Sequence, residues 1–238
     1  AGATQVLLER FDPMRVLELC EQYGVTWFFA VPPVILALAN MSDLSKLKTV
    51  RYLMNAAAPL PLDPARKLHE RTGITIVQAY GLTESSPDTH LSPTDPSLVR
   101  LESVGLPVSN TEQKIVDIET GTHELRSGED GEVVVRGPQV MKGYWKSPEE
   151  TARVLRDGWL YTGDIGHLDA DGSLFIVDRK KEMIKYKAFS VAPAELEALL
   201  LEHSAVLDAA VIGVPDEEAG EVPKGFVVLR PGQQATAE

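Results

Sequence analysis

"TVRYLMNAAAPLPLDPARKLHERTGITIVQAYGLTES" (residues 49–85) decides how this chain is built. "TVRYLMN" reads as a strand, "LDPARKLHERTG" as a helix opened by Asp63-Pro64 and closed by Gly73, and "ITIVQAY" as a further strand. Strands that are apolar on both faces and joined by helices indicate a parallel sheet with both sides covered. The same rhythm runs upstream. "TQVLLERF" (4–11) reads as strand, and "DPMRVLELCEQYG" (12–24) as a helix capped by Asp12 and stopped by Gly24. "VTWFFAV" (25–31) is a continuous apolar strand and "PPVILALAN" (32–40) a short helix. The expected class is α/β, beginning with part of a helix-covered, mainly parallel sheet.

Ligands of such sheets bind beyond the carboxyl ends of the strands. Two loops leave those ends, "NAAAPLPL" (55–62) and "YGLTESSP" (80–87). The small side chains of Ala56, Ala57 and Ala58 would let a flat group approach the backbone. In the second loop a glycine, a hydroxyl and a carboxylate follow a buried strand at once. The plain reading is a strand end and a capped short helix; the sharper one is a nucleotide phosphate with its metal ion.

From about residue 100 the period shortens to two. "TEQKIVDIETGTHELRSGEDGEVVVRG" (111–137) and "GWLYTGDIGHLDADGSLFIVDR" (158–179) read as hairpins of a small antiparallel sheet or barrel. "SPEETARVLR" (147–156) is a helix between them, with Ser147 and Glu150 placed as a capping box. After Asp178 a charged turn leads to the helix "APAELEALLLEHSA" (192–205) and the strands "AVLDAAVIGV" (205–214) and "KGFVVLRP" (224–231). The expected division is therefore 1–100 as part of a large N-terminal domain and 101–177 as its β-rich subdomain. Residues 178–238 form the start of a small α+β C-terminal domain.

The 238 residues, 44% of them hydrophobic, suffice for a sizeable core. A net charge of −12 argues against a nucleic-acid surface, which needs clustered Lys and Arg. A single cysteine, Cys20, excludes an intrachain disulfide and fits a cytoplasmic setting. The five histidines show no metal-ligand spacing. The longest apolar run, "VTWFFAVPPVILALA", is broken by Pro32-Pro33 and is too short to span a bilayer. No integral membrane segment or anchor is expected, and peripheral association through an acyl substrate stays open. Oligomeric state leaves no signal.

Four stretches together resemble the adenylate-forming superfamily of acyl-CoA synthetases, coumarate-CoA ligases, luciferases and peptide-synthetase adenylation domains. They are "QAYGLTES" (78–85), "GEVVVRGPQVMKGYWKSPEET" (131–151), "GWLYTGDIGHLDADG" (158–172) and "DRKKEMIKYKAFSVAPAELEALL" (178–200). The last is nearer the acyl-CoA and coumarate-type ligases. The resemblance implies two steps: a carboxylate, with a fatty acid the first choice and an aryl acid the alternative, attacks the α-phosphorus of ATP. Coenzyme A then displaces AMP from the acyl-adenylate.

The resemblance also assigns roles. Tyr80 would stack on adenine, Gly81 would line the same site, and the backbone of Ala56, Ala57, Ala58 and Pro59 would cover the other face. Thr83 would contact phosphate, and Glu84 would bind Mg²⁺, a hard oxygen for a hard cation. Asp164 would accept both ribose hydroxyls and Arg179 would add a second ribose contact. Asp178 would be the hinge between half-reactions, and Lys185 would reach the AMP phosphate. Each has a bland alternative: a core tyrosine, a helix-capping threonine, a solvated glutamate, a turn aspartate, a surface salt bridge, and a solvated basic turn at Lys180, Lys181, Lys185 and Lys187.

Four positions depart from the family pattern. Ala188 and Ser190 stand where it usually reads Gly and Gln, and Asn55-Ala56 where it reads Ser-Gly. Ala188 would lie against the pantetheine channel, so thioester formation is expected to be slowed relative to adenylation. The phosphate-gripping Ser/Thr/Gly loop is expected upstream of residue 1 and the adenylation lysine downstream of residue 238. The chain thus reads as a fragment, inactive alone, of a complete ligase. A nucleotide-binding protein that has lost catalysis is the reading from a different class.

Overall fold

A computed structural model describes residues 2–187, 189–216 and 218–234. The chain divides into two compact units. One comprises residues 1–112, 136–151 and 171–175, the other residues 113–135, 152–170 and 176–238.

The first unit is built on a five-stranded sheet. Strands β1 (Trp27–Ala30), β2 (Tyr52–Asn55) and β3 (Thr75–Gly81) run parallel, and β4 (Asp88–Leu91) and β5 (Leu106–Pro107) continue the sheet antiparallel in the order β1-β2-β3-β4-β5. Helix α1 (Pro13–Tyr23) leads into β1, and α2 (Pro32–Asn40) and α3 (Leu62–Thr72) supply the connections between the parallel strands. Helix α1 starts as its sequence dictates: Asp12 accepts the Arg15 N–H at 2.7 Å, Pro13 opens the first turn, and Gly24 closes it at φ 59°. Val16, Leu17 and Cys20 turn inward to join Ile35, Leu38, Leu53, Leu68 and Ile76 in one core. A fully buried Leu or Ile in that core contributes about 1.5–3 kcal/mol.

Two local expectations are corrected. Residues 4–11 form no strand; Leu7 is exposed, and no described strand offers them a partner. Helix α3 begins at Leu62, so Asp63 lies inside its first turn and makes no capping hydrogen bond. Its charge still complements the helix dipole there. On the sheet, Phe28, Ala30, Leu53 and Ile76 face the core helices. The opposite face carries Trp27 and Tyr52, with ring centroids 4.7 Å apart, and an exposed Phe29.

Most of the second sheet belongs to the second unit. Its strands β6 (Glu112–Val116), β7 (Gly131–Arg136), β9 (Trp159–Leu168) and β10 (Leu174–Arg179) lie in the order β10-β9-β7-β6, with β8 (Leu155–Arg156) paired to β9 after helix α4 (Pro148–Val154). A third sheet follows in the order β12-β11-β14-β13, from β11 (Ile184–Tyr186), β12 (Phe189–Val191), β13 (Val206–Asp216) and β14 (Gly220–Leu229). Helix α5 (Pro193–Leu201) packs on β13. The fold class read from the sequence is thus the class observed, mixed α/β with antiparallel sheets following the parallel one.

Candidate functional site

In the first unit the two suspected loops leave the carboxyl ends of neighbouring strands, β2 and β3. Asn55, the last residue of β2, is buried and holds the first loop. Its Nδ2 donates to the Ala58 carbonyl and to Gln78 Oε1, both at 3.2 Å. Gln78 on β3 in turn donates to the carbonyls of Leu101 (2.6 Å) and Ser103 (3.1 Å). These amides fix residues 56–59, where Ala57 is forced to φ 75°, a left-handed conformation costly for a residue with a Cβ.

The second loop is stapled by a serine. Ser85, fully buried, accepts the Leu82 N–H at 3.0 Å and donates to the Pro87 carbonyl at 2.5 Å. The chain from Thr83 to Ser85 winds as one 3₁₀ turn. Thr83 is left exposed and Glu84 half-buried. Gly81 is required here, because a Cβ would overlap the Pro87 carbonyl. Tyr80 lies half-buried beside His90, with ring centroids 5.7 Å apart.

Glu84 is gripped twice from the 131–151 stretch. The Met141 N–H donates to its carbonyl at 2.7 Å, and the Tyr144 hydroxyl donates to its Oε1 at 2.6 Å. That bond pushes the Tyr144 phenol up to about 12, with burial and the Glu84 and Glu150 charges adding to the shift. Neither the spacing nor the composition singled out Tyr144. A polar-tipped aromatic beside glycine in "KGYW" is compatible with many roles.

The second unit holds the other candidates. Asp164 lies in the middle of β9, its side chain 13% exposed, with Arg179 Nε 3.8 Å from its Oδ1. Thr162 shapes the approach: its hydroxyl donates to the Val133 carbonyl at 2.7 Å and accepts the Asp164 N–H at 3.1 Å. Between them, Gly163 adopts φ 74°. Its N–H donates to Glu132 Oε1 at 3.2 Å, and its carbonyl accepts the Lys180 N–H at 2.8 Å. Glu132 also pairs with Lys180 Nζ at 2.7 Å, so Lys180 is more than a solvated cation. The signal was present in "GEVVVRG": a carboxylate at the head of a run of three valines, buried with them, demands a partner.

Asp178 accepts the N–H of Arg179 at 2.7 Å and that of Ala194 at 3.1 Å, tying the end of β10 to the first turn of α5. Lys185 donates to Ser190 Oγ at 2.7 Å across the β11–β12 pair. Ala188 lies outside the described residues. The structure therefore brings Tyr80, Gly81, Thr83 and Glu84 together with Ala56–Pro59 on one unit, and Asp164 with Arg179 on the other.

Among the described residues no group of three or more His, Cys, Asp and Glu could cage a metal ion. A single carboxylate with an adjacent hydroxyl nevertheless fits Mg²⁺, which takes one or two protein carboxylates and completes its shell with substrate phosphates and water. Glu84 and Thr83 are such a pair. Among the described residues no helix is long and apolar enough to cross a membrane.

Parallel strands that deliver a small-residue loop and a Gly-hydroxyl-carboxylate turn to one sheet edge place both loops where open α/β sheets bind their ligands. Residues 1–145 match the family described as AMP-binding enzyme, and residues 195–238 match the AMP-binding enzyme C-terminal domain. The chain belongs to this AMP-binding enzyme family. It is 46% identical to 4-coumarate–CoA ligase 1 of Glycine max, spanning 100% of this chain and 83% of that protein. It is 40% identical to a long-chain-fatty-acid–CoA ligase of Bacillus subtilis (strain 168), spanning 100% of this chain and 42% of that one. ATP-bound MatB from Rhodopseudomonas palustris superposes with a TM-score of 0.89 at 32% identity, over 97% of this chain and 45% of that one. The chain spans about 45% of the length of most curated relatives it matches.

Proposed function

We propose that this chain carries the adenylate-binding part of an ATP-dependent carboxylate–CoA ligase. The observation that carries the reading is the turn at residues 80–84. A glycine that admits no Cβ and a buried Ser85 hold an exposed Thr83 hydroxyl and the Glu84 carboxylate at the carboxyl end of β3. The loop 56–59 is fixed at the end of the adjacent strand by Asn55 and Gln78.

The chemistry follows from the difficulty of the reaction. A free carboxylate is a poor electrophile, and joining it to AMP converts its oxygen into part of a good leaving group. The carboxylate oxygen forms a bond to the α-phosphorus of ATP and pyrophosphate leaves. The thiolate of coenzyme A then attacks the acyl carbon and AMP leaves. Tyr80 and residues 56–59 bind adenine and Asp164 and Arg179 the ribose. Thr83 orients phosphate. Glu84, beside the Thr83 hydroxyl, would hold Mg²⁺, and the ion would supply charge neutralisation at the phosphates. Lys185 meets the AMP phosphate during thioester formation, when residues after the hinge at Asp178 have turned. Catalysis is then mostly positioning and electrostatic stabilisation.

The acid is a fatty acid or an aryl-propenoic acid. The second choice gains from the 46% identity to a protein named 4-coumarate–CoA ligase, against 40% for the one named for long-chain fatty acids. Pyrophosphate exchange into ATP, run on the full-length protein with decanoate, palmitate, 4-coumarate and benzoate, tests both levels. Exchange with one acid class identifies the substrate. Absence of exchange with every acid, in a protein that binds ATP, would favour a nucleotide-binding protein without ligase activity.

A further inference from the structure

Glu84 and Tyr144 are sixty positions apart in sequence and joined by a hydrogen bond of 2.6 Å. We propose that Tyr144 is a positioning residue for the metal-binding carboxylate: its hydroxyl engages Glu84 Oε1 and leaves Oε2 to the divalent cation. The inference rests on the reading of Glu84 as metal ligand.

A glutamate on a 3₁₀ turn has three side-chain torsions to settle before it can meet a cation, and ordering such a side chain on binding costs affinity. Here the ordering is already done. The Met141 N–H holds the main-chain carbonyl of Glu84 at 2.7 Å, and the Tyr144 hydroxyl holds the carboxylate. Among the described residues Oε2 has no hydrogen-bond partner. An O–H donor to a charged oxygen forms one of the stronger hydrogen bonds available. It also occupies only one of the carboxylate's two oxygens.

The donor is itself held from behind. The Tyr144 N–H donates to Thr151 Oγ1 at 2.9 Å, and that hydroxyl donates to the Ser147 carbonyl at 2.9 Å. The Ser147 N–H closes the loop onto the Tyr144 carbonyl at 3.2 Å. Gly143, at φ 146°, lets the chain pass Thr151 at a distance where a Cβ would collide with that side chain. A tyrosine anchored this well at its backbone, with its phenol directed at one carboxylate oxygen, is arranged like the outer-shell partner of a metal ligand. Loss of such partners typically weakens metal binding by about 10–100-fold.

The test is a titration of the full-length protein with Mn²⁺ in the presence of ATP and without acid substrate, followed by electron paramagnetic resonance of free Mn²⁺. Tyr144→Phe, which keeps the ring and removes the hydroxyl, is expected to weaken Mn²⁺ binding about tenfold or more. Its ATP affinity in chelator should stay at the wild-type value. In a Glu84→Gln background, Tyr144→Phe should add nothing. Wild-type Mn²⁺ affinity in Tyr144→Phe overturns the proposal, and so does an equal loss on the Glu84→Gln background. A matching fall in metal-free ATP affinity also overturns it, since the hydroxyl would then serve the loop alone. Wild-type Mn²⁺ affinity in Glu84→Gln defeats the metal reading of Glu84 itself, and the proposal with it.

Discussion

Lys180 Nζ stands 2.7 Å from Glu132 Oε2, and the Glu132 side chain is only 6% exposed while that of Lys180 is 39% exposed. Removing the cation strands a carboxylate in a position where water reaches it poorly. Removal of one partner from a fully buried pair costs about 3–5 kcal/mol, and surface pairs contribute about 0–1 kcal/mol. Lys180→Met is therefore expected to destabilise the protein by about 1–3 kcal/mol in urea unfolding. The double variant Glu132→Gln/Lys180→Met should recover part of that, because no charge is left stranded. Equal midpoints for wild type and Lys180→Met would show the pair to be energetically idle.

The same pair bears on the proposed ribose contacts. Glu132 Oε1 holds the Gly163 N–H, next to Asp164, and Lys180 follows Arg179. A loosened pair should let both candidates drift. AMP affinity of the full-length Lys180→Met protein is expected to fall several-fold, by calorimetry, with the larger part of the change in the binding enthalpy. Unchanged AMP affinity would separate the pair from the nucleotide site.

Ala57, at φ 75°, carries a Cβ in a region that favours glycine. Relief of that strain is worth about 1–2 kcal/mol, and the extra freedom of an unfolded glycine takes back about 0.4–1 kcal/mol. Ala57→Gly should thus stabilise by a few tenths to about 1 kcal/mol. A β-branched residue adds its own cost in this conformation, so Ala57→Val should destabilise by more than about 1 kcal/mol. Thermal unfolding of the pair checks the order; a more stable valine variant would contradict the backbone assignment.

Much of the fold was legible because the signals were local and agreed. Asp12-Pro13 and Gly24 mark the ends of α1 as read, and the doubly apolar "ITIVQAY" becomes the buried strand β3. What escaped reading depends on partners distant in sequence. "TQVLLERF" has strand composition, yet a strand exists only when another strand completes its hydrogen bonds, and none described here does. "DTHL" carries no strand pattern of its own length and becomes β4 where β3 and β5 flank it. At the candidate site, residue types at the sheet edge were readable from spacing and resemblance. Their supports were not: Tyr144 meets Glu84 across sixty residues and Lys180 meets Glu132 across forty-eight, distances at which no periodicity carries information.

Asp117 makes the clearest prediction about pH. Its carboxylate accepts the N–H groups of Thr120 (2.7 Å), Thr122 (3.1 Å) and His123 (2.8 Å) and the Thr120 hydroxyl. The backbone bonds from Thr120 and His123 are the leading causes that hold its pKa far below the usual carboxylate range. A group depressed in the folded state stabilises the protein above its unfolded pKa, near 4. That contribution is lost as pH falls toward the folded value, because the unfolded chain then binds the proton more readily. The wild type should accordingly lose stability from about pH 4 downward more steeply than Asp117→Asn, whose amide does not titrate. Chemical unfolding at pH 7, 5, 4 and 3 reads the difference directly: the gap between the two proteins should be widest at pH 7 and narrow progressively below pH 4. A gap that stays constant across that series would mean the carboxylate's charge plays no part in holding the turn between β6 and β7.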